Sequence, residues 1–273
     1  MTTVPERCRA FRNLHKSGCF VIPNPWDRGS ARLLARLGFP ALATTSSGFA
    51  CSRGRSDGHV SLEDTLAHLR AIAESVDVPV NADFEGGFAV APDEVAANVT
   101  LATRTGIAGL SIEDFTGDAG NPLFDFELSV ERVRAARRAI DDSGTGVLLT
   151  GRSEGFIRGR PDLGETIRRL TAFADAGADC LYAPGIRTKA EITAIVAAVA
   201  PKPVNVLVGS DFTTVSELAD AGVRRISVGG ALARVAYGGF LQAAREIAER
   251  GTFSAMGRAI PFAEINEVLG PVD

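Results

Sequence analysis

The chain has 273 residues, 45% of them hydrophobic and 23% charged, with a formal net charge of −4. That length accommodates one large core, because α/β barrels run to about 250 residues as a single domain, and the composition excludes a disordered polymer. A mildly acidic balance with no basic stripe excludes nucleic acid as the expected partner, and no run of about 18 apolar residues is present to span a membrane.

The chain starts MTTVPERCRAFRNLHKSG, which has no apolar core and is not expected to be a signal peptide. Beyond it, short β-type apolar runs alternate with segments of helical period. In order, the spacing predicts strand Phe20–Pro23 and helix Ser30–Leu37, strand Ala41–Thr45 and helix Leu62–Ser75, strand Val78–Ala82 and helix Asp93–Thr105, and strand Gly109–Glu113 and helix Ser129–Asp141. It continues with strand Val147–Gly151 and helix Leu163–Ala176, strand Cys180–Ala183 and helix Lys189–Ala200, strand Val204–Val208 and helix Val215–Ala221, and strand Arg225–Val228 and helix Leu232–Arg250, with a short helix Pro261–Leu269 in the tail. Consecutively apolar runs such as VLLTG and VNVLV suit strands buried on both faces of a parallel sheet. Gly38, Gly106, Gly177 and Gly222 stop helices before the next strand. No Pro-, Gly- or Ser-rich linker divides the chain, and no GxGxxG follows the first strand. The expectation is one domain over residues 1–273, a (β/α)8 TIM-type barrel over about 20–230 followed by C-terminal helices.

In such a barrel the active site forms where the strands end. The strand ends carry Asn24, Trp26 and Asp27; Ser46, Ser47 and Gly48; Asp83 and Glu85; Glu113 and Asp114; Arg152, Ser153 and Glu154; and Tyr182 and Pro184, with Asn205 on strand seven. Carboxylate oxygens with open positions suit Mg²⁺, so Asp83, Glu85 and Glu113 are the candidate metal ligands. Arg152 can clamp a substrate carboxylate through paired hydrogen bonds, and the Ser47 hydroxyl with the Gly48 amide can cradle an oxyanion. Phe49 and Asn205 complete the candidate substrate-binding set. The alternative for the carboxylates is an ion-pair network at the barrel rim. His15 and His68 read as packing or surface residues, and His59 lies near Asp57 in the loop after strand two. The cysteines, Cys8, Cys19, Cys51 and Cys180, show no metal-ligand spacing and suit a reducing compartment, so a cytoplasmic location is expected.

The stretches PNPWDRGSARLL, TTSSGFACSRGRSD, VPVNADFEGGF, GLSIEDF, LLTGRSEGF, YAPGI and KPVNVLVG, in this order on successive strands, resemble the isocitrate lyase and phosphoenolpyruvate mutase superfamily. The resemblance implies a barrel whose last helix is swapped between subunits of a homodimer or homotetramer. It also implies Mg²⁺, or Mn²⁺ in its place, and 2-oxo or enolate chemistry. By this likeness Ser47 and Gly48 bind substrate, Asp57 is catalytic, Asp83 matches the second aspartate of a DAD metal motif, Glu113 matches the metal-shell glutamate, and Arg152 binds substrate. Asn81 then stands at the first aspartate of DAD, with Glu85 as compensation. The loop FTGDAGNPLFD lacks the cysteine of the isocitrate-cleaving branch, while Asn121 is the candidate for the asparagine of phosphonate-handling members.

The expected activity is Mg²⁺-dependent cleavage of a C–C bond in a small 2-oxo or 2-hydroxy dicarboxylate, through an enolpyruvate-like oxyanion, with Asp57 and Arg152 as catalytic residues. A phosphonopyruvate-type mutase or hydrolase is one alternative; a 2-oxo acid binding protein without turnover is another.

Overall fold

The computed structural model describes residues 2–270. Helix α1 (Val4–Leu14) precedes β1 (Phe20–Ile22), α2 (Arg28–Arg36), β2 (Leu42–Ala43), α3 (Ser46–Ser52), α4 (Leu62–Ser75), β3 (Val80–Asp83), α5 (Pro92–Thr103), β4 (Gly109–Glu113) and α6 (Phe126–Ser143). There follow β5 (Leu148–Arg152), α7 (Leu163–Asp175), β6 (Cys180–Tyr182), α8 (Lys189–Val199), β7 (Val204–Leu207), α9 (Val215–Asp220), β8 (Arg225–Ser227), α10 (Ala231–Arg250) and α11 (Phe262–Leu269), with 3₁₀ turns at Gly155–Arg158 and Ser254–Arg258.

All recorded strand pairings are parallel, in the order β1-β8-β7-β6-β5-β4-β3-β2. The remaining seam is bridged by the Ala43 amide donating to Pro23 O at 3.0 Å and by Asn24, whose Nδ2 donates to Thr44 O at 2.9 Å. The same Asn24 accepts the Val228 and Gly229 amides on Oδ1, each at 2.9 Å, so one side chain ties the ends of β1, β2 and β8 together. The fold is the expected (β/α)8 barrel.

Several boundaries differ from the sequence pattern, each for a physical reason. Strand β2 shrinks to two residues because Thr45 leaves it to cap α3, accepting the Gly48 amide. Strands β3 and β5 extend through Asp83 and Arg152, so both side chains are aimed by the sheet rather than by a loop. Helix α1 was not expected from its polar composition. It is a capped helix, with Thr3 and Glu6 forming a capping box and Cys8 and Phe11 buried. Phe11 is fully buried against the N-terminal end of the barrel, where a Cβ on Gly109 would lie 2.6 Å from its ring. Only glycine fits at that point.

The barrel interior is unusually polar. Ordinary barrels fill it with layers of Val, Ile and Leu, whereas Asn81, Ser111, Thr150, Asn205, Arg225 and Ser227 are all buried here. Helix α10 is the opposite anomaly: of its 20 residues only Ala233 is buried, and Val235, Phe240 and Leu241 are exposed. Among the described residues no helix is long and apolar enough to cross a membrane.

Two of the three histidines are packing residues. His15 closes α1, with its ring edge-on to Phe11 and Phe20 at centroid distances of 4.6 and 5.2 Å. Its Nδ1 bonds Phe11 O at 2.8 Å, and burial and then the Arg225 charge lower its pKa to about 3. His68 stacks on Phe49 at 3.8 Å, and burial lowers it to about 4. Both are therefore neutral in the folded chain. Below pH ~6.5 the unfolded chain takes up protons that the folded chain refuses, so stability falls as pH drops from there towards the folded values. Between pH 7 and pH 5 each histidine should contribute a loss of about 2 kcal/mol to the stability read by chemical denaturation. Replacing His68 by leucine should recover about half of that loss. The raised carboxyls of Glu85 and Glu113 act in the opposite sense over this range, so the comparison that decides is between proteins: if His68→Leu and the wild type change stability equally between pH 7 and pH 5, the His68 ring is not held neutral.

Candidate active site

A cavity of about 240 Å³ opens at the carboxyl ends of the strands. Its upper wall carries Ser46, Ser47, Asp57, Asp83, Arg152 and Arg158, and its lower part reaches Asn81, Ser111, Asn205 and Arg225.

Arg152 organises the upper wall. As the last residue of β5 it stands beside Glu113 of β4, its register partner, and Tyr182 of β6. Its Nη1 lies 3.2 Å from Asp83 Oδ1 and 3.3 Å from Glu113 Oε2, and its Nε donates to Glu154 Oε1. The guanidinium also sits 5.1 Å from the centre of the Tyr182 ring. Burial opposes its charge, yet Glu113 and Glu154 hold Arg152 above the usual guanidinium value. Glu154 is fully buried and is shared with Arg158, whose Nε is 3.1 Å away. Beneath lies Asp114, which accepts the Glu154 amide at 2.8 Å, the Ser153 hydroxyl at 3.1 Å and Arg169 Nη1 at 3.2 Å.

Asp83 is fixed from the other side, accepting the Ser46 amide at 2.9 Å while its own amide donates to Thr44 Oγ1 at 2.9 Å. Glu85 turns away from the strand with φ +47°. Burial, then the charges of Asp83 and Asp57, push its carboxyl up to about 7. Burial likewise drives Glu113 well above the carboxylate range against the pull of Arg152, with Glu154, Asp83 and Glu85 adding to the rise. Burial takes the Tyr182 hydroxyl to about 12.

These shifts have one origin. Asp83, Glu85, Glu113 and Glu154 crowd a site with Arg152 and Arg158 as counter-charges, and the surplus of negative oxygen is what a hard divalent cation relieves. The donor set therefore fits Mg²⁺ in type and charge. It is not a preformed cage: Arg152 bridges Asp83 and Glu113, and among the described residues no group of three or more His, Cys, Asp or Glu is arranged to hold an ion. Asn81 stands on the same strand as Asp83 and lines the same cavity. Its Oδ1 is buried without a partner, close to the Cα of Gly109 and two residues deeper in the barrel. The acids at this strand end are Asp83 and Glu85, and Asn81 is a neutral residue at the position where the resemblance places the first aspartate of DAD.

Of the expected substrate-binding residues, Ser47, Arg152 and Asn205 line the cavity. The Gly48 amide is turned to Thr45 Oγ1 at 3.4 Å, and Phe49 faces a separate small cavity with His68, Asp83 and Glu85. Asp57 is exposed in the loop over the mouth, between Gly54 (φ +67°) and Gly58 (φ +75°). Asn121 lies outside the cavity, in the loop pinned by the Phe115–Leu123 bridge. Sequence reading did not select Arg158, Arg225 or Arg234 for the site. Arg225 had a visible signal, an arginine opening a strand that is otherwise buried.

The sequence profile of the phosphoenolpyruvate phosphomutase family matches residues 11–248. A solved structure of a Burkholderia cenocepacia protein, provisionally assigned as a lyase or mutase, is 47% identical, with a TM-score of 0.95 over 97% of each chain. The solved 2,3-dimethylmalate lyase, described as a PEP mutase/isocitrate lyase superfamily member, is 27% identical with a TM-score of 0.85, covering 99% of this chain and 95% of that one. An oxaloacetate decarboxylase of Paraburkholderia xenovorans is 29% identical over 199 residues, 70% of this chain and 64% of the relative.

Ser47 owes its place to a close approach. A Cβ on Gly230 would stand 2.5 Å from Ser47 Oγ, although the backbone there, at φ −71°, suits any residue. Gly230→Ala should fold normally but push the hydroxyl out of the cavity, lowering turnover by about a hundredfold if that hydroxyl serves an oxyanion. Unchanged turnover with an unchanged melting temperature would remove Ser47 from the chemistry.

Proposed function

The chain belongs to the phosphoenolpyruvate phosphomutase family of the isocitrate lyase/PEP mutase superfamily, and from that premise we propose that it cleaves a C–C bond of a small 2-oxo or 2-hydroxy dicarboxylate. The observation that carries the reading is Arg152, Asp83 and Ser47 lining one cavity, with Glu113 paired to Arg152 behind it. A likeness to an oxaloacetate decarboxylase supports the same bond type. Asn121, outside the cavity, gives no support to C–P chemistry.

In this reading Asp83, Glu85 and Glu113 hold Mg²⁺, which supplies Lewis-acid polarisation of a 2-oxo group when bound. Arg152 turns part of its fork from the acids to a substrate carboxylate, fixing the ligand in one orientation. With a 2-oxo substrate, Ser47 Oγ–H donates to the carbonyl oxygen on carbon two, which gains charge as the bond beyond carbon three breaks and its electron pair forms the enolate. The loop from Arg53 to Val60 closes over the mouth, excluding water and bringing the Asp57 carboxylate to the reacting carbon. There it orients the water that returns a proton to carbon three.

Incubation with oxaloacetate, phosphonopyruvate and methylisocitrate, following pyruvate release and phosphoenolpyruvate formation, tests the reading. Oxaloacetate should yield pyruvate, EDTA should stop the reaction and Mg²⁺ restore it, and Asp57→Ala should bind oxaloacetate with little turnover. Turnover of phosphonopyruvate alone would replace C–C by C–P cleavage. Binding of all three without product would leave a 2-oxo acid binding protein.

We also propose that α10 is the helix exchanged between subunits. The support is its exposed apolar side chains, with Val235 72%, Phe240 65% and Leu241 45% accessible around a helix that buries only Ala233; an apolar helix left this open on several sides suits enclosure by another molecule. A second copy is the partner, giving a homodimer or homotetramer. Sedimentation should show an oligomer that Phe240→Asp dissociates; a wild-type monomer at micromolar concentration overturns this assignment.

A further inference from the structure

The lower half of the cavity has no role in the reaction just described, yet it contains the least expected charge in the molecule. Arg225 opens β8, pairs in register with Phe20 of β1 and Asn205 of β7, and is 3% exposed. Its side chain crosses the barrel. Nε donates to Asn205 Oδ1 at 2.9 Å and Nη2 to Thr150 Oγ1 at 3.1 Å, while Nη1 meets His15 Nε2 at 3.4 Å. All three partners are neutral; His15 is held neutral, with Nδ1 on Phe11 O and Nε2 towards the arginine.

A guanidinium has five N–H donors. Three are engaged, which leaves two, one on each Nη. Among the described residues no carboxylate lies within ion-pair distance of Arg225, whereas Arg152 and Arg158 at the mouth both have carboxylate partners. Arg234, the cavity's other arginine without one, is exposed and solvated at the rim. A buried charge is costly unless it is paired. Arg225 is therefore a cation whose hydrogen bonds are partly met and whose charge is not. It also faces open space, because the cavity that begins at Arg152 ends at Arg225. The surrounding hydroxyls of Ser111, Thr150 and Ser227 are rotatable donors suited to an anion, where most barrels would place branched apolar side chains.

We propose that Arg225 is an anion subsite at the floor of the barrel, receiving one carboxylate of a dicarboxylate bound along the barrel axis while Arg152 receives the other end. This deepens the reading of the cavity as a dicarboxylate site and rests on it. The reacting bond then lies between two fixed poles. The subsite selects dianions over monoanions by charge at depth rather than by contacts at the mouth.

Malate and lactate are the probes, since they differ by one carboxylate; both are titrated with EDTA present, so that neither is turned over. Calorimetry on the wild-type protein should show malate binding at least tenfold more tightly than lactate. Arg225→Gln should weaken malate about ten- to hundredfold and leave lactate within about twofold, the loss of one charge-assisted contact. Arg225→Lys, which keeps the charge in nearly the same volume, should retain part of the preference for malate and covers the case in which the glutamine variant does not fold. Equal binding of malate and lactate by the wild type overturns the subsite. So does an equal loss of both ligands in either variant, which would mean that Arg225 only braces the barrel. The two readings fail separately. If no 2-oxo acid is cleaved but malate selectivity still follows Arg225, the subsite stands without the reaction; if oxaloacetate is cleaved and neither variant alters the malate-to-lactate ratio, the reaction stands without the subsite.

Discussion

The upper half of this barrel depends on one guanidinium. Arg152 is placed by the register of β5 so that acids from β3, from β4 and from the turn after β5 all reach it. Without it, Glu113 and Glu154 would be buried carboxylates with no counter-charge from this side chain. Breaking a buried pair by removing one partner costs about 3–5 kcal/mol. The same contact lets the protein keep a surplus of acid in a dry place, which is what a site for a cation and an anionic ligand requires. Stability and chemistry here draw on the same few atoms, so the active wall cannot be altered without disturbing the sheet that carries it.

Around that knot the scaffold is locally consistent. Helices α2, α3, α4, α7, α8 and α9 each begin on an Asp, Ser or Thr side chain that accepts a first-turn amide. Such caps set where each strand-to-helix connection ends, and so where the polar residues after each strand are released. Arg132 does comparable work for the segment after β3, donating to Gly86 O, Ala89 O and Val90 O from inside α6. The Asp83–Glu85 turn thus sits on a fixed base.

Much of this was legible in the sequence, and the parts that were not share a cause. Eight apolar runs and the glycines that end helices define the barrel because strands buried on both faces leave little choice of residue. The acids at the ends of β3 and β4 and Arg152 stand out in the sequence because position in a barrel restricts where chemistry can occur, and the structure brings them together. Helix α1 was hidden because it buries only Cys8 and Phe11 on an arginine-rich segment, and α3 because Ser-Ser-Gly favours turns until Thr45 caps it and Phe49 packs on His68. Motif spacing places Asn81 beside the acids, but its burial without a partner for Oδ1 depends on the packing around Gly109 and is not written in the motif. Arg225 reads as the polar first residue of a strand in GVRRIS, and its burial is a property of eight strands together.

The Phe49–His68 stack bears on how the mouth can move. It joins α3 to α4 by two nearly parallel rings, 11° apart, and these helices flank the segment that carries Asp57. The two ends of that segment are consequently held at a fixed separation whatever its middle does. Ordering a residue costs on the order of 1–2 kcal/mol of backbone entropy, and closing a loop whose ends are already anchored adds no further search for the anchors. Any rearrangement over the cavity is confined to the few residues between the two helices, with the entropy of a short flap rather than that of a swinging lobe.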